Sequence, residues 1–402
     1  MSIFIAIVGL GLLILVHEAG HFFASLAVGL RPRKFYVGFP PAVVRHRRNG
    51  IEYGIGAVPL GGFVSIPGMH RPIPHDAEKR FSKAVAEAPA LAGPFDRLRR
   101  GLESEEPHAS LGALDDLEEA MRDKKLSPEE LASAEKGLTE LRDALGPDAY
   151  WKAATWKRLV AIAAGPLANI VLAIVLMAVL FMTVGGKATS EVASVVEDSP
   201  ARTIGLQAGD LLVAINGERV DASDIRNRIA DSAGAELVVT VRRDGREIDL
   251  APAKPERIEG GYRLGFVLAG AGLGPIEAVG RAFHVTGIVT VEIGKALGRL
   301  TYGEGREDVS SPIGIVQASS DSVERGAENY LWILSLISLS LALLNLLPLL
   351  PLDGGHILFS LIEGARGRLV RREVYERVSI VGLALVLLLF FVGLTNDIGN
   401  LS

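Results

Sequence analysis

The sequence predicts a polytopic α-helical membrane protein with four membrane-spanning helices, and three observations carry that prediction. Hydrophobic residues make up 49% of the 402, charged residues only 22%, and the mean hydropathy is +0.31. The charge is segregated: all 42 Lys and Arg fall within residues 31–160, 185–329 and 366–377. The zones between them hold apolar runs near the roughly 20 residues a membrane helix needs, at 2–29, 159–184, 330–350 and 378–394. Such segregation excludes a purely soluble enzyme and a disordered chain. A net charge of −5 without a basic stripe argues against a nucleic-acid partner. There is no cysteine, so any metal must be held by His, Asp or Glu.

Residues 2–29 are read as a span rather than a secretory signal, because Met1-Ser2 supply no basic start. Orientation follows from the bases flanking the spans. Arg31, Arg33, Lys34, Arg45, Arg47 and Arg48 follow the first span, and Lys152, Lys157 and Arg158 precede the second. The loop between the third and fourth carries Arg366, Arg368, Arg371, Arg372 and Arg377. Both loops are therefore expected in the cytoplasm, with residues 185–329 and both termini outside.

The first span departs from a plain apolar helix at His17-Glu18-Ala19-Gly20-His21, an H-E-x-x-H pattern. Ionisable side chains in a membrane helix are costly and point to function. Positions i and i+4 share a helix face, so both imidazoles can reach one Zn2+ ion. Glu18 is rotated off that face and can instead take a proton from a metal-activated water. A third protein ligand is needed. The position six residues after His21 is Ala27, and Glu52 lies beyond a basic loop. The remaining acid at membrane level is Asp353, in Asn345-Leu-Leu-Pro-Leu-Leu-Pro-Leu-Asp353-Gly354-Gly355-His356. The assigned orientation puts it at the same depth as His17 and His21. Pro348 and Pro351 should break the helix there, and Gly354 and Gly355 permit close approach. His356 is read as a polar residue on the cytoplasmic rim.

The pairing of H-E-x-x-H with N-x-x-P-x-x-x-L-D-G resembles the site-2 protease family of intramembrane metalloproteases, in particular the branch containing the regulator of sigma-E protease. Two further segments share the likeness. Ala164-Gly165-Pro166-Leu167-Ala168-Asn169 opens the second span, and residues 53–69, including Ala57-Val58-Pro59-Leu60-Gly61-Gly62-Phe63-Val64, are similar to the family's membrane-associated β-hairpin. The resemblance covers most of the chain except residues 74–150. It implies zinc held by His17, His21 and Asp353, Glu18 as general base, and Asn345 holding the substrate backbone. It further implies that hairpin residues Gly54, Ile55, Gly56, Ala57 and Val58 pair with an unwound substrate. Asn345 also fits a helix–helix hydrogen bond.

Outside the spans, residues 187–270 carry short apolar runs separated by Asn216-Gly217 and Asp244-Gly245. Gly205-Leu206-Gln207-Ala208-Gly209-Asp210 through Asn216-Gly217 resembles the signature of bacterial PDZ domains, with Ile204 where Ala is usual. That implies an extracytoplasmic α+β domain taking a peptide ligand, or a simple tether. Residues 271–329 read as amphipathic helices on the outer membrane surface. In 74–150, Leu111, Leu114, Leu117 and Met121 step helically, as do Leu131, Ala134, Leu138, Leu141 and Leu145. The segment is read as a helical hairpin, with Ser127-Pro128-Glu129-Glu130 opening its second arm. His70, His75 and Asp76 form no convincing second metal set.

The expected organisation is thus 1–73 (first span and hairpin), 74–150 (insertion), 151–186 (second span), 187–270 (PDZ-like), 271–329 (amphipathic helices) and 330–402 (third and fourth spans). The expected function is a zinc endopeptidase of the bacterial cytoplasmic membrane. It would cleave transmembrane segments of single-span proteins such as anti-sigma factors or remnant signal peptides, with its active site toward the cytoplasm and the lipid bilayer as its surroundings. The alternatives are a membrane zinc protease of another class acting on cytoplasmic segments of misfolded proteins, and an inactive PDZ scaffold.

Overall fold

A computed structural model describes residues 1–104, 107–183, 185–258 and 261–401, with the side chains of 39, 40, 58–60, 107, 301, 308, 400 and 401 outside the description. Four helices are long and apolar enough to cross a membrane: Ser2–Ala27, Thr155–Thr183, Ala327–Asn345 and Arg372–Gly399. The chain forms two compact units, one of Met1–Leu172, Ile293–Glu324 and Leu336–Ser402, the other of Ala173–Glu292 and Arg325–Ser335.

The first unit begins with α1 (Ser2–Ala27), an unbroken apolar helix ended by Gly29, whose φ of 85° suits a glycine. Two antiparallel strands follow, β1 (Lys34–Arg48) and β2 (Ile51–Ser65). Each doubles back on itself. Lys34–Val37 face both Glu52–Ile55 and Gly62–Ser65, while Ala42–Arg48 pair with Ile51–Gly56. The result is a small sheet ordered 42–48, 51–56, 34–37 and 62–65, with 62–65 at one edge.

Residues 74–145 form four helices, not the two expected: α2 (Pro74–Glu87), α3 (Ala92–Glu103), α4 (Pro107–Arg122) and α5 (Pro128–Leu145). They share one core in which Phe81, Leu91, Leu98, Leu114 and Leu117 are almost wholly buried. The apolar steps of α4 and α5 were regular enough to read. Those of α2 and α3 are shorter and interrupted by Pro89. Ser127 caps α5, its Oγ accepting from the Glu130 N–H at 3.4 Å and donating to Glu87 at 2.8 Å. Arg33 ties this bundle to the strands through Asp143 and Asp148, each at 2.8 Å.

Helix α6 (Thr155–Thr183) runs through Pro166. The first unit also holds α10 (Pro312–Glu324), part of α11 (Ala327–Asn345), α12 (Asp353–Arg366) and α13 (Arg372–Leu401). Helix α10 packs along α1 with Ser319, Ser320 and Ser322 buried. Its first turn is capped by Asp397 of α13, which accepts the Ser311 and Gly314 N–H groups at 2.8 and 3.1 Å. Small buried serines and this cap hold α10 against α1 and α13. Near the start of α6, Arg158 and Glu363 of α12 form an ion pair in which each is about 5% exposed. Glu363 also accepts the Val370 N–H at 2.8 Å, and Tyr150 lies 3.0 Å from Ser360.

In the second unit, β3 (Lys187–Val195), α7 (Pro200–Thr203), β4 (Leu211–Ile215), β5 (Glu218–Arg219), α8 (Ala222–Asp231), β6 (Val239–Arg243), β7 (Arg246–Asp249) and β10 (Phe266–Ala271) enclose one apolar core. A pair, β8 (Glu256–Ile258) and β9 (Gly261–Arg263), precedes β10, and α9 (Pro275–Thr301) follows it. The sheet order is β10-β3-β4-β6-β7, with β5 beside β4. Asn216-Gly217 and Asp244-Gly245 take positive φ at both positions, as two-residue hairpin turns require. Asp210, 1% exposed, accepts from the Gln207 N–H at 2.8 Å and from two Arg243 nitrogens at 2.7 and 2.6 Å. Burial works to raise the Asp210 carboxyl, but Arg243 and the Gln207 amide more than offset it and hold it below the usual carboxylate range.

Two expectations follow. Arg158→Ala leaves Glu363 buried without its partner, which costs about 3–5 kcal/mol; thermal melts in detergent should show a large loss that Tyr150→Phe does not reproduce. Asp210 has a folded pKa below its unfolded value, so its stabilisation is complete above about pH 4 and is lost as pH falls through the folded value. Melts from about pH 5 to about pH 2 should lose less stability in Asp210→Asn than in the parent.

Candidate metal centre and active site

The two histidines of α1 stand one turn apart and both are 7% exposed. Their Nε2 atoms are 3.2 Å apart, and Asp353 Oδ2 lies 3.2 Å from the first and 3.3 Å from the second. The His21 Nδ1–H donates to the Ala161 carbonyl of α6 at 2.9 Å. That bond leaves the Nε2 lone pair facing His17 and Asp353. Asp353 Oδ2 makes no properly directed hydrogen bond, although it is buried between two imidazoles. Three acceptor atoms thus converge with near-equal spacing. Four ligands placed tetrahedrally at roughly 2.0–2.1 Å from zinc stand about 3.3 Å from one another. The donor set, two neutral imidazoles and a carboxylate, and its spacing fit Zn2+ with a fourth position left for water or substrate. Among the described residues no other group of His, Asp or Glu converges in this way.

Local sequence explains how the three meet. A side chain at Gly165 of α6 would strike the His21 ring, and one at Gly20 would strike the Ala164 carbonyl. The two helices touch only because both are glycine. Asp353 arrives by a different route. Helix α11 ends at Asn345, the segment with Pro348 and Pro351 turns back, and α12 starts at Asp353 itself. Gly354 and Gly355 lie against the backbone of Leu346–Leu350, where no Cβ fits.

A cavity of about 470 Å3 opens at this centre. His17, Glu18, His21, Asn345 and Asp353 line it, so five residues singled out in the sequence share one space. Glu18 is half-buried beside the ligands. Gly62 of β2 packs against it, since a Cβ there would lie 3.1 Å from Glu18 Cγ. The Val64 backbone amide is within hydrogen-bonding reach of the Glu18 carboxylate. The hairpin reaches the cavity through Gly61–Val64, at the edge of its sheet. Gly54, Ile55, Gly56 and Ala57 do not line it: they are paired within the sheet or lead out of that pairing, because the strand doubles back between them and the edge. The Val58 backbone belongs to β2, and its side chain lies outside the described residues.

Sequence reasoning gave no role at the centre to four contributors, Ala161, Gly165, the 61–64 edge and His356, although all but Ala161 stood in segments it quoted. His356 lines the cavity instead of its rim. Its spacing of three from Asp353 on one helix was the available signal. Ala161 acts through its carbonyl, which no side-chain pattern reveals.

A zinc-type centre set in a helix apolar enough to span a membrane defines a membrane metallohydrolase. The chain matches peptidase family M50 over residues 5–389 and belongs to that family, the site-2 proteases. It is 31% identical to a zinc metalloprotease of Agrobacterium fabrum, over 98% of this chain and 94% of that one. It is 29% identical to the zinc metalloprotease RasP of Geobacillus kaustophilus, over 99% and 97%. It is 28% identical to the regulator of sigma-W protease RasP of Bacillus subtilis, over 97% and 96%. The protein is therefore a zinc metalloprotease with four apolar, membrane-competent helices.

Gly165→Ala should displace the His21 ring while leaving α6 helical. Disturbing the support of a metal-binding histidine typically costs 10–100-fold in affinity. Zinc content after dialysis against graded chelator should fall correspondingly, with an unchanged helical signal in circular dichroism.

Proposed function

We propose that this chain is an intramembrane endopeptidase that hydrolyses peptide bonds within or beside the transmembrane segment of single-span membrane proteins. The observation that carries the reading is the convergence of Asp353 with His17 and His21, which lie with Glu18 on a helix of 26 residues long and apolar enough to span a bilayer.

Zinc held by His17, His21 and Asp353 would supply Lewis acidity toward the scissile carbonyl and toward water. Glu18 accepts the proton of the attacking water at its carboxylate and passes it to the departing amine. Its place beside the ligands, outside the triad, leaves it free for that role. Asn345 offers an amide to hold the substrate backbone in the cavity. A helical substrate hides its peptide bonds and must unwind before cleavage, which frees N–H and C=O groups in an apolar setting. An added strand satisfies them. The edge at 62–65 adjoins Glu18 and is better situated for this than Gly54–Val58, which we assign to supporting the sheet from within.

By the distribution of Lys and Arg, the centre faces the cytoplasm and both termini lie outside, in a bacterial cytoplasmic membrane. The α+β unit around residues 187–270 serves as an external PDZ-type module that binds extended peptide or limits the size of what enters. Residues 74–150 form a cytoplasmic insertion. One relative is named as a regulator of sigma-W protease. On that ground membrane-bound anti-sigma factors are the proposed substrates in regulated intramembrane proteolysis, with remnant signal peptides as a further class.

The test combines zinc content with cleavage of a tagged single-span substrate in detergent. Glu18→Gln should keep its zinc and lose cleavage by at least about a hundredfold, the lower bound for general acid–base catalysis. Asp353→Ala should lose both. Full cleavage by Glu18→Gln would sink the mechanism, and full zinc in Asp353→Ala would mean another third ligand.

A further inference from the structure

A second cavity, about 1110 Å3 in volume, lies where the α12–α13 loop meets residues 69–74 and Trp151. Its wall is strongly basic, with Arg71, Arg158, Arg366, Arg368, Arg371 and Arg372 against three acids, Glu103, Glu363 and Glu373. Most of these charges are satisfied within the protein. Arg158 pairs with Glu363, Arg372 with Asp76 and Glu376, and Arg371 with Glu373 at 3.3 Å. Arg71 sits 5.7 Å from the Trp151 ring centre. Arg366 and Arg368 are exposed and make no ion pair among the described residues. They flank Gly367, whose φ of 64° ends α12, and both line the cavity.

The setting of this basic wall selects its ligand. It adjoins the start of α13, where the run from Val378 onward has neither Lys nor Arg. Ile380 and Val381 on that helix are 67% and 69% exposed, a surface for acyl chains. Apolar residues Leu369, Val370 and Val374 line the cavity together with the arginines. Unpaired guanidinium groups at the end of a membrane helix, with apolar surface next to them, match a phosphate head with chains attached. Guanidinium also favours phosphate through paired N–H donors.

We propose that this cavity binds an anionic phospholipid, its phosphate held by Arg366 and Arg368 and its chains laid along α13. Met69 lines both this cavity and the catalytic one, and His70, which lines this cavity, packs its ring 4.7 Å from that of Tyr375. The proposal does not depend on catalysis, so it is tested by binding.

The purified full chain in neutral detergent is titrated with phosphatidylglycerol, with phosphatidylcholine and with inorganic phosphate, following the melting temperature and bound lipid by native mass spectrometry. Phosphatidylglycerol should bind and raise the melting temperature, and the other two should not. The Arg366→Gln/Arg368→Gln protein should bind it roughly thirtyfold more weakly, about fivefold for each charge removed. The Arg226→Gln/Arg246→Gln protein, altered at exposed arginines of the second unit that do not line the cavity, should bind as the parent does. Equal binding by the 366/368 variant and the parent, or equal shifts with phosphatidylcholine, would overturn the site. A shift with inorganic phosphate as large as with lipid would overturn the lipid assignment in favour of a free anion. Glu18→Gln should bind lipid normally, which separates failure of this site from failure of the catalytic reading.

Discussion

The protein is organised around the cost of placing two imidazoles and a carboxylate inside apolar helices. Unpaired, each would be expensive there. Brought to within 3.2–3.3 Å of one another, they need a shared cation to satisfy three facing lone pairs. Much of the surrounding backbone makes sense as a means of that approach. Gly20 and Gly165 remove the side chains that would hold α1 and α6 apart. The break between α11 and α12 delivers Asp353 from a second direction. The Ala161 carbonyl chooses which imidazole nitrogen of His21 points inward.

The same centre dictates what the β-sheet must do. A metal site closed on all sides by helices could not accept a peptide, whereas one open to lipid would leave the unwound substrate's amides unsatisfied. On the proposed reading the edge strand at 62–65 would answer both conditions, since Gly62–Val64 line the cavity and Gly62 lets the strand sit against Glu18. Glu18 and the strand edge are therefore positioned by one contact.

The parts of this arrangement that were legible in the sequence are those encoded by local period. His17 and His21 sit on one face by helix geometry alone, and the prolines before Asp353 announce the break. Asn216-Gly217 marks its hairpin for the same reason. What the sequence hid depends on tertiary register. Nothing local says that β1 and β2 each double back, so the sequence did not reveal that Gly54–Gly56 pair within the sheet while Gly61–Val64 line the cavity. Helices α2 and α3 were obscured because their apolar spacing is short and proline-interrupted, although Phe81 and Leu98 anchor the bundle's core. His356, read as a polar rim residue, lines the cavity because α12 carries it one turn from Asp353.

Holding Asp353 in register with α1 requires that α12 be fixed as a rigid body, and its far end supplies the fixation. Ten residues separate Asp353 from Glu363, about 15 Å of helix. At that distance Glu363 is buried against Arg158, and Ser360 meets Tyr150 at 3.0 Å. Arg158 belongs to the same α6 that carries Ala161 and Gly165 one and two turns later. One helix thus both orients His21 and anchors the helix bearing the third ligand. A buried ion pair is a poor source of net stability but a strong source of specificity, because displacing either partner strands a charge. Placed here, it converts the strength of that penalty into a fixed distance between Asp353 and the two histidines, which is what a three-ligand site demands of the fold.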